Sequence, residues 1–427
     1  MTVRSVGPAR VHGRLRAPPS KSYTHRALVA AFLAGRPCEV VRPLDSDDTR
    51  ATRDGLRALG ARISPSRAGW KVSPPRHGAR PPRRPVRCGE SGTTLRFLSA
   101  VAALGSDPVS LEGAPRLAAR PMDDLYKALR ELGAVVRVPS GARALPCTIQ
   151  GPLRAGAVTI RGDVSSQFTS ALLMVLPTLR GPSRLRIRGA AVSQPYVEAT
   201  CAVLEERRIR VRRTDGGFLI PGDQKYRAGR IRVPGDASSA AYIWAAAAAT
   251  GGRVDVEGIP ADLPQADLAI LPILARMGAR VQRASRSVRV TGPLSRPVSV
   301  DLTDCPDLFP LVAVLAALIP DGRSQLSGAP HLEFKESDRR VQSVRLARAI
   351  GAEVLERPTR IDVIGTASPR PLNLPSLRDH RLVMSAAVAG LAGPKISRIG
   401  HAEAVSKSFP GFWKALGALT TGGRTVP

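Results

Sequence analysis

The stretch from Pro18 to Arg36, PPSKSYTHRALVAAFLAGR, sets a lysine, hydroxyls, a histidine and an arginine at the mouth of an almost purely apolar run. A helix N-terminus presents N–H groups with no intrahelical acceptor and a partial positive charge. Lys21, Ser22 and Arg26 at such a start make a receptor for a phosphate or a carboxylate. The Lys-Ser pair also occurs in nucleotide-binding loops, but the glycines of G-x-x-x-x-G-K-S/T are missing and nucleotide cradling is not expected. GESGTTLR, Gly89 to Arg96, is a second anion candidate, because Gly92 permits close backbone approach and Thr93 adds a hydroxyl. Simple N-capping explains the same residues. The trio Ser165, Ser166 and Gln167 could hold a phosphate without charge or merely cap a helix.

FKESDRR carries Lys335, Glu336, Asp338 and Arg339, and DHR carries Asp379, His380 and Arg381. Runs of this kind also occur as exposed helical faces laced by i,i+3 and i,i+4 ion pairs. Lysine, however, appears only eight times among 64 basic residues, and Lys21, Lys335 and Lys407 fall in these short motifs. In an arginine-rich chain that placement points to positions where an amine is chemically required. The five cysteines are scattered, with no C-x-x-C pair, and read as buried thiols; the six histidines form no ligand cluster. No metal site is expected.

These polar starts belong to a repeat. PSKSYTHRALVAAFLAG, GESGTTLRFLSAVAALG, GDVSSQFTSALLMVLP, GDASSAAYIWAAAAATGG, DCPDLFPLVAVLAALIP and LRDHRLVMSAAVAGLAG each run from a polar turn into an Ala/Leu/Val helix. They recur at roughly 70-residue intervals. Between them a second helix ends in a shared signature: LRALGARI, LRELGAVVRV, LEERRIRVRR, LARMGARVQR, LARAIGAEVLE and WKALGAL. Gly60, Gly133, Gly278, Gly351 and Gly417 are expected at left-handed helix caps, and the LEERRIRV copy is expected to end differently. Segments such as RVDVEG, VRVTG, VSVDL and RIDVIG supply strands. Each module is α/β. Helices apolar on every side, such as AAYIWAAAAA, must be enclosed by neighbours. At 427 residues the chain is long enough for two domains of three modules each, with the polar helix starts facing an interdomain cleft.

The net charge of +30 would ordinarily suggest nucleic acid, but the arginines are spread over the whole length and aromatics are 4%. That leaves few stacking platforms and favours attraction of small anions. No apolar run reaches the ~20 residues of a membrane span, and the N-terminal stretch lacks a secretory h-region. A cytoplasmic protein is expected.

Taken in order, PSKSYTHRA, SGTTLR, the arginine of ARPMDDL, DVSSQF, GDASSA, the aspartate of CPDLF, KESDRR, DHR and SKSFP make the chain resemble the 5-enolpyruvylshikimate-3-phosphate synthase family. These enzymes are the carboxyvinyltransferases of the shikimate pathway of aromatic amino-acid biosynthesis. The resemblance spans essentially the whole chain. It implies an α/β, two-domain enolpyruvyl transferase-like fold, each domain made of three repeated βαβαββ units around buried parallel helices. Its boundaries would be 19–232 for the shikimate-phosphate-binding domain, and 1–18 with 233–427 for the other. Shikimate 3-phosphate would lie against Lys21, Ser22, Arg26, Ser165, Ser166, Gln167, Ser193, Tyr196, Asp307 and Lys335. Phosphoenolpyruvate would lie against Lys21, Gly92, Arg120, Gln167, Arg339, Arg381 and Lys407. Asp307 is the expected base, with Glu336 and Lys21 or Lys407 delivering protons. The resemblance implies no metal and no cofactor, a monomer, and no nucleic-acid or membrane partner. His331 stands where bacterial members often carry an asparagine. The related enzymes acting on UDP-N-acetylglucosamine typically carry a loop cysteine and a lysine-asparagine pair, and this chain has Lys21-Ser22.

Overall fold

The computed structural model describes residues 2–75, 79–285, 287–328 and 330–421. It divides into two compact units, Pro19–Pro234 and the pair of segments Met1–Pro18 and Gly235–Pro427.

In the Pro19–Pro234 unit the apolar runs form the helices Lys21–Leu33, Gly92–Ala102 and Ser166–Val175. Ala30, Ala100 and Leu172 have no exposed surface, so these helices are enclosed as their composition requires. Around them stand four-stranded sheets, each with one parallel pair and two antiparallel pairs. The parallel pair flanks the inner helix, as in Val86–Arg87 and Val109–Glu112 on either side of Gly92–Ala102. In the first module the opening strand comes from the far end of the segment, where Ile231 of Gly229–Arg232 pairs with Val40 of Cys38–Val41.

The other unit repeats the plan around the helices Ala237–Ala249, Phe309–Ala317 and His380–Ala392. Small side chains let these helices pack closely, and the run Ala240 to Ala248 is wholly buried. Both N-terminal strands join this unit. Arg10–Arg16 runs parallel to Arg253–Glu257, with Leu15 opposite Val256, and Val3–Val6 runs antiparallel to Ser397–Gly400.

The outer helices end in a common turn. After Asp47–Ala58, Gly60 N donates to the Arg57 carbonyl (2.9 Å) and Ala61 N to the Leu56 carbonyl (3.0 Å), with Gly60 at φ +99°. Gly133, Gly278 and Gly351 take the same left-handed conformation. Two helix ends differ from those expected from the sequence. The LEERRIRV helix, Gln194–Glu206, ends in the same turn, with Arg208 at φ 61° and Ile209 N donating to the Leu204 carbonyl (2.8 Å). Gly417, in contrast, lies inside Phe412–Leu419 because that helix runs on to Leu419.

The cysteines are free thiols, all buried except the half-buried Cys201. Among the described residues no helix is long and apolar enough to cross a membrane.

Candidate active site

In the Pro19–Pro234 unit the polar residues gather where inner helices begin. Lys21 Nζ reaches Asp48 Oδ2 at 2.9 Å, and Asp48 sits in the first turn of Asp47–Ala58. Beneath this pair, His25 Nδ1 meets Thr52 Oγ1 at 2.7 Å and Thr52 Oγ1 meets Thr94 Oγ1 at 2.7 Å. Thr94 Oγ1 also donates to Ser91 Oγ (2.7 Å), which caps Gly92–Ala102 by accepting from Thr94 N. A hydroxyl chain therefore ties three helix starts together. Burial is the main cause that lowers the His25 pKa to about 3, so the ring is neutral.

Arg26 is buried and faces inward. Nε donates to Thr200 Oγ1 (2.8 Å), Nη1 to the Ser22 carbonyl (2.9 Å), and Nη2 to the Tyr196 carbonyl (2.8 Å) and Ser170 Oγ (3.2 Å). Burial brings its pKa down to about 10, still cationic at neutral pH. Ser165 Oγ accepts from Gln167 N (3.3 Å), so it acts as a cap. The Gln167 amide accepts from Arg96 Nη1 (3.2 Å) and donates to Thr93 Oγ1 (3.1 Å), joining the second and third inner helices. Gly92 lies against both Arg96 and Arg120, the latter buried just beyond the short helix Pro115–Ala118. Ser193 precedes Gln194–Glu206 in a left-handed conformation at φ 57°.

The Gly235–Pro427 unit holds a second, ionic cluster. Asp307 Oδ1 accepts from Arg339 Nη1 at 2.6 Å, and Oδ2 accepts from Arg381 Nη2 at 2.7 Å. Arg339 is buried and also donates through Nε to Asp379 Oδ2 (2.8 Å) and through Nη2 to Glu336 Oε2 (2.7 Å). Lys407 Nζ lies 3.8 Å from Glu336 Oε1. The backbone explains the convergence: Asp338 caps Arg339–Ile350, Asp379 caps His380–Ala392, and Asp307 lies in the turn before Phe309–Ala317. Lys335 and Glu336 precede the helix, so the KESDRR charges do not form an exposed helical face.

Burial would raise the pKa of Asp307, but Arg381, Arg339 and Lys335 outweigh it and hold the carboxyl well below the usual range. Burial lowers the His331 pKa to about 3 with help from Lys335, leaving a neutral ring near the Asp307 cluster. The Tyr242 ring stands 6.0 Å from the Arg381 guanidinium, and burial pushes its phenol up to about 12.

Asp48, Arg96 and Asp267 join these clusters without having been assigned a role from sequence. Arg96 lies inside GESGTTLR, and Asp48 lies in LDSDDTR, where acidic residues at a helix start were the available signal. Asp267 gave none. It is buried in the turn before Ile270–Arg276, its Oδ2 is 3.9 Å from Arg381 Nη1, and burial raises its pKa to about 6 despite that arginine. Among the described residues no group of three or more His, Cys, Asp or Glu side chains could hold a metal.

Chemically, each unit presents fixed cations beside hydroxyls and carboxylates, the equipment for binding small polyanions and moving protons. A family model for EPSP synthase (3-phosphoshikimate 1-carboxyvinyltransferase) matches residues 6–416. The chain is 38% identical over 416 residues to the 3-phosphoshikimate 1-carboxyvinyltransferase of Methanocorpusculum labreanum, covering 97% of each protein. It is 39% identical over 425 residues to that of Halobacterium salinarum, covering 97% of this chain and 98% of the relative. Among solved structures, EPSP synthase from Acinetobacter baumannii superimposes with a TM-score of 0.81 at 23% identity, covering all of both chains. The enolpyruvyl transferase NikO from Streptomyces tendae gives 0.77 at 18% identity, covering 100% of this chain and 99% of the other. These likenesses show the enolpyruvyl transferase-like α/β fold expected from the sequence.

Proposed function

The chain belongs to the EPSP synthase (3-phosphoshikimate 1-carboxyvinyltransferase) family, and we propose that it transfers the enolpyruvyl group of phosphoenolpyruvate to the 5-hydroxyl of shikimate 3-phosphate, releasing phosphate. The hydroxyl oxygen adds to C2 while C3 gains a proton. The tetrahedral adduct then loses phosphate and returns the proton from C3. One observation carries the reading: Asp307, Glu336, Arg339, Arg381 and Lys407 form one linked ionic cluster in the Gly235–Pro427 unit.

Two substrates that each bear a carboxylate and a phosphate bring roughly −5 to −6 charge together, and only convergent cations offset their repulsion. In the proposed complex, shikimate 3-phosphate lies chiefly against the Pro19–Pro234 unit through Lys21, Ser22, Arg26, Ser165, Ser166, Gln167, Ser193 and Tyr196, with Asp307 and Lys335 completing its contacts. Phosphoenolpyruvate takes Lys21, Gly92, Arg120, Gln167, Arg339, Arg381 and Lys407. Asp307 accepts the hydroxyl proton, and Glu336 with Lys21 or Lys407 serves C3 and the leaving phosphate. A cytoplasmic monomer is part of the same proposal.

The test is to mix the purified protein with both substrates without added metal and follow inorganic phosphate. Stoichiometric phosphate with formation of the enolpyruvyl ether is the expected result. No phosphate above a control lacking shikimate 3-phosphate rejects the reading.

A further inference from the structure

Asp307 is asked to be a base, yet both of its oxygens are taken. Arg339 Nη1 holds Oδ1 at 2.6 Å and Arg381 Nη2 holds Oδ2 at 2.7 Å. Both guanidiniums are buried, 1% and 3% exposed, so this is a fixed arrangement in a shielded place and not a transient surface pair. A carboxylate clasped by two guanidiniums presents little free electron density to a hydroxyl, and Arg381, Arg339 and Lys335 overcome burial to hold Asp307 well below ordinary carboxyl acidity. The donors that block the base are also among those assigned to the second substrate, which carries a carboxylate. A carboxylate ligand and Asp307 offer the same chemistry to the same N–H groups, so they compete.

We propose that Asp307 is an internal stand-in anion: it occupies Arg339 and Arg381 in the free protein, and the carboxylate of phosphoenolpyruvate displaces it, so that arrival of the second substrate frees the base. This rests on the function proposed above and adds an order to its events. Arg339 stays in place during the exchange because Asp379 still accepts from Nε at 2.8 Å and Glu336 from Nη2 at 2.7 Å. The Arg381 guanidinium stays in place because Asp267 stands on its other side, 3.9 Å from Nη1, and the Tyr242 ring lies 6.0 Å away. Asp267 is thus a positioning residue for Arg381. The pairing also explains how a site full of cations avoids premature chemistry: the base stays masked until both reactants are present. Its cost is apparent affinity, since phosphoenolpyruvate must win its arginines from a tethered competitor.

The test measures phosphoenolpyruvate binding in the presence of saturating 5-deoxyshikimate 3-phosphate, which lacks the reacting hydroxyl and so allows wild type and variants to be compared without turnover. Asp307→Asn and Asp307→Ala, each checked for an unchanged melting profile, are expected to bind phosphoenolpyruvate at least tenfold more tightly while losing turnover with the natural acceptor. Unchanged or weaker binding overturns the exchange. Infrared difference spectra of wild-type protein carrying ¹³C-labelled aspartate provide a readout that needs no variant. Adding phosphoenolpyruvate should shift a carboxylate band from its doubly paired position toward that of a freer carboxylate. Tighter variants without such a shift would mean only that a repelling charge had been removed, and would also overturn the exchange. Wild-type protein that releases no phosphate from the two natural substrates removes the functional reading itself, a result distinct from an active enzyme whose Asp307 variants bind no tighter.

Discussion

Gly92 lies directly against Arg120: a Cβ built on Gly92 would come within 2.7 Å of Arg120 Nη1 and 2.9 Å of its Cζ. It would stand closer still to Arg96 Nη1. No side chain fits there without moving a buried guanidinium. Gly92→Ala should therefore leave folding intact and push Arg120 away from its ligand position. A displacement of about 1 Å costs on the order of 10²-fold where geometry is tight. The expected result is a KM for phosphoenolpyruvate raised by roughly tenfold or more, with a smaller rise for shikimate 3-phosphate, which Arg96 reaches only through Gln167. Equal changes in both would show that Gly92 does not act through Arg120.

Arg339 holds three carboxylates: Asp307, Glu336 and the fully buried Asp379. Burial would lower its pKa, but Asp379, Glu336 and Asp307 more than compensate, so it is a permanent cation. Arg339→Met would strand Asp379 without its counter-charge. Removing one partner of a buried pair costs about 3–5 kcal/mol. Urea denaturation should show a loss of that order. Arg339→Lys should recover only part of it, because an ammonium cannot fork among three acceptors. A variant as stable as wild type would contradict the cluster.

The acidity of Asp267 sets a pH dependence with a definite sign. Its pKa rises from 3.8 to about 6 in the folded protein, so the folded state binds this proton more tightly than the unfolded chain. The stability linked to it is complete below the unfolded value and is lost as pH climbs through about 6. Asp267→Asn removes that loss. Denaturant melts of both proteins at pH 4 and pH 7.5 should show the variant gaining on wild type at the higher pH, and a constant gap would refute the assignment.

Arg208 occupies a left-handed turn at φ 61° that glycine fills at Gly60, Gly133, Gly278 and Gly351. A side chain there costs about 1 to 2 kcal/mol, offset in part by glycine's extra freedom when unfolded. Arg208→Gly should stabilise the protein by up to about 1 kcal/mol, seen as a higher melting temperature with activity unchanged. A lower melting temperature would mean that the Arg208 side chain contributes more than its backbone costs.

What could be read from the chain alone was local chemistry. Polar residues ahead of a helix announce its mouth because capping acts within a few residues, and Ser91, Ser165 and Asp338 cap the helices that start at Gly92, Ser166 and Arg339. The inner helices were legible because Ala240 to Ala248 offers no polar face. The misses came from distance or from strain. Asp267 reaches Arg381 from a turn more than a hundred residues earlier in sequence, and nothing in PQADLAIL marks a buried acid. Arg208 is not legible because composition does not reveal that a helix-end turn, closed by Ile209 N to the Leu204 carbonyl, holds an arginine in a glycine's conformation. Gly417 repeats the cap signature, yet its helix continues to Leu419. Thr200 and the Tyr196 carbonyl, the internal partners of Arg26, are visible only in the fold, because they lie some 170 residues away in sequence.

The pairing of Arg10–Arg16 with Arg253–Glu257, and of Val3–Val6 with Ser397–Gly400, has a bearing on biogenesis. A ribosome releases those opening strands first, at about 5–20 residues per second, long before their partners exist. The Pro19–Pro234 unit, which contains all of its own strands, can mature in the meantime. For tens of seconds the leading peptide must stay unpaired in the company of a nascent, half-finished molecule. Its arginines and its glycine at position 13, both poor material for stray β-association, suit a tether that has to wait.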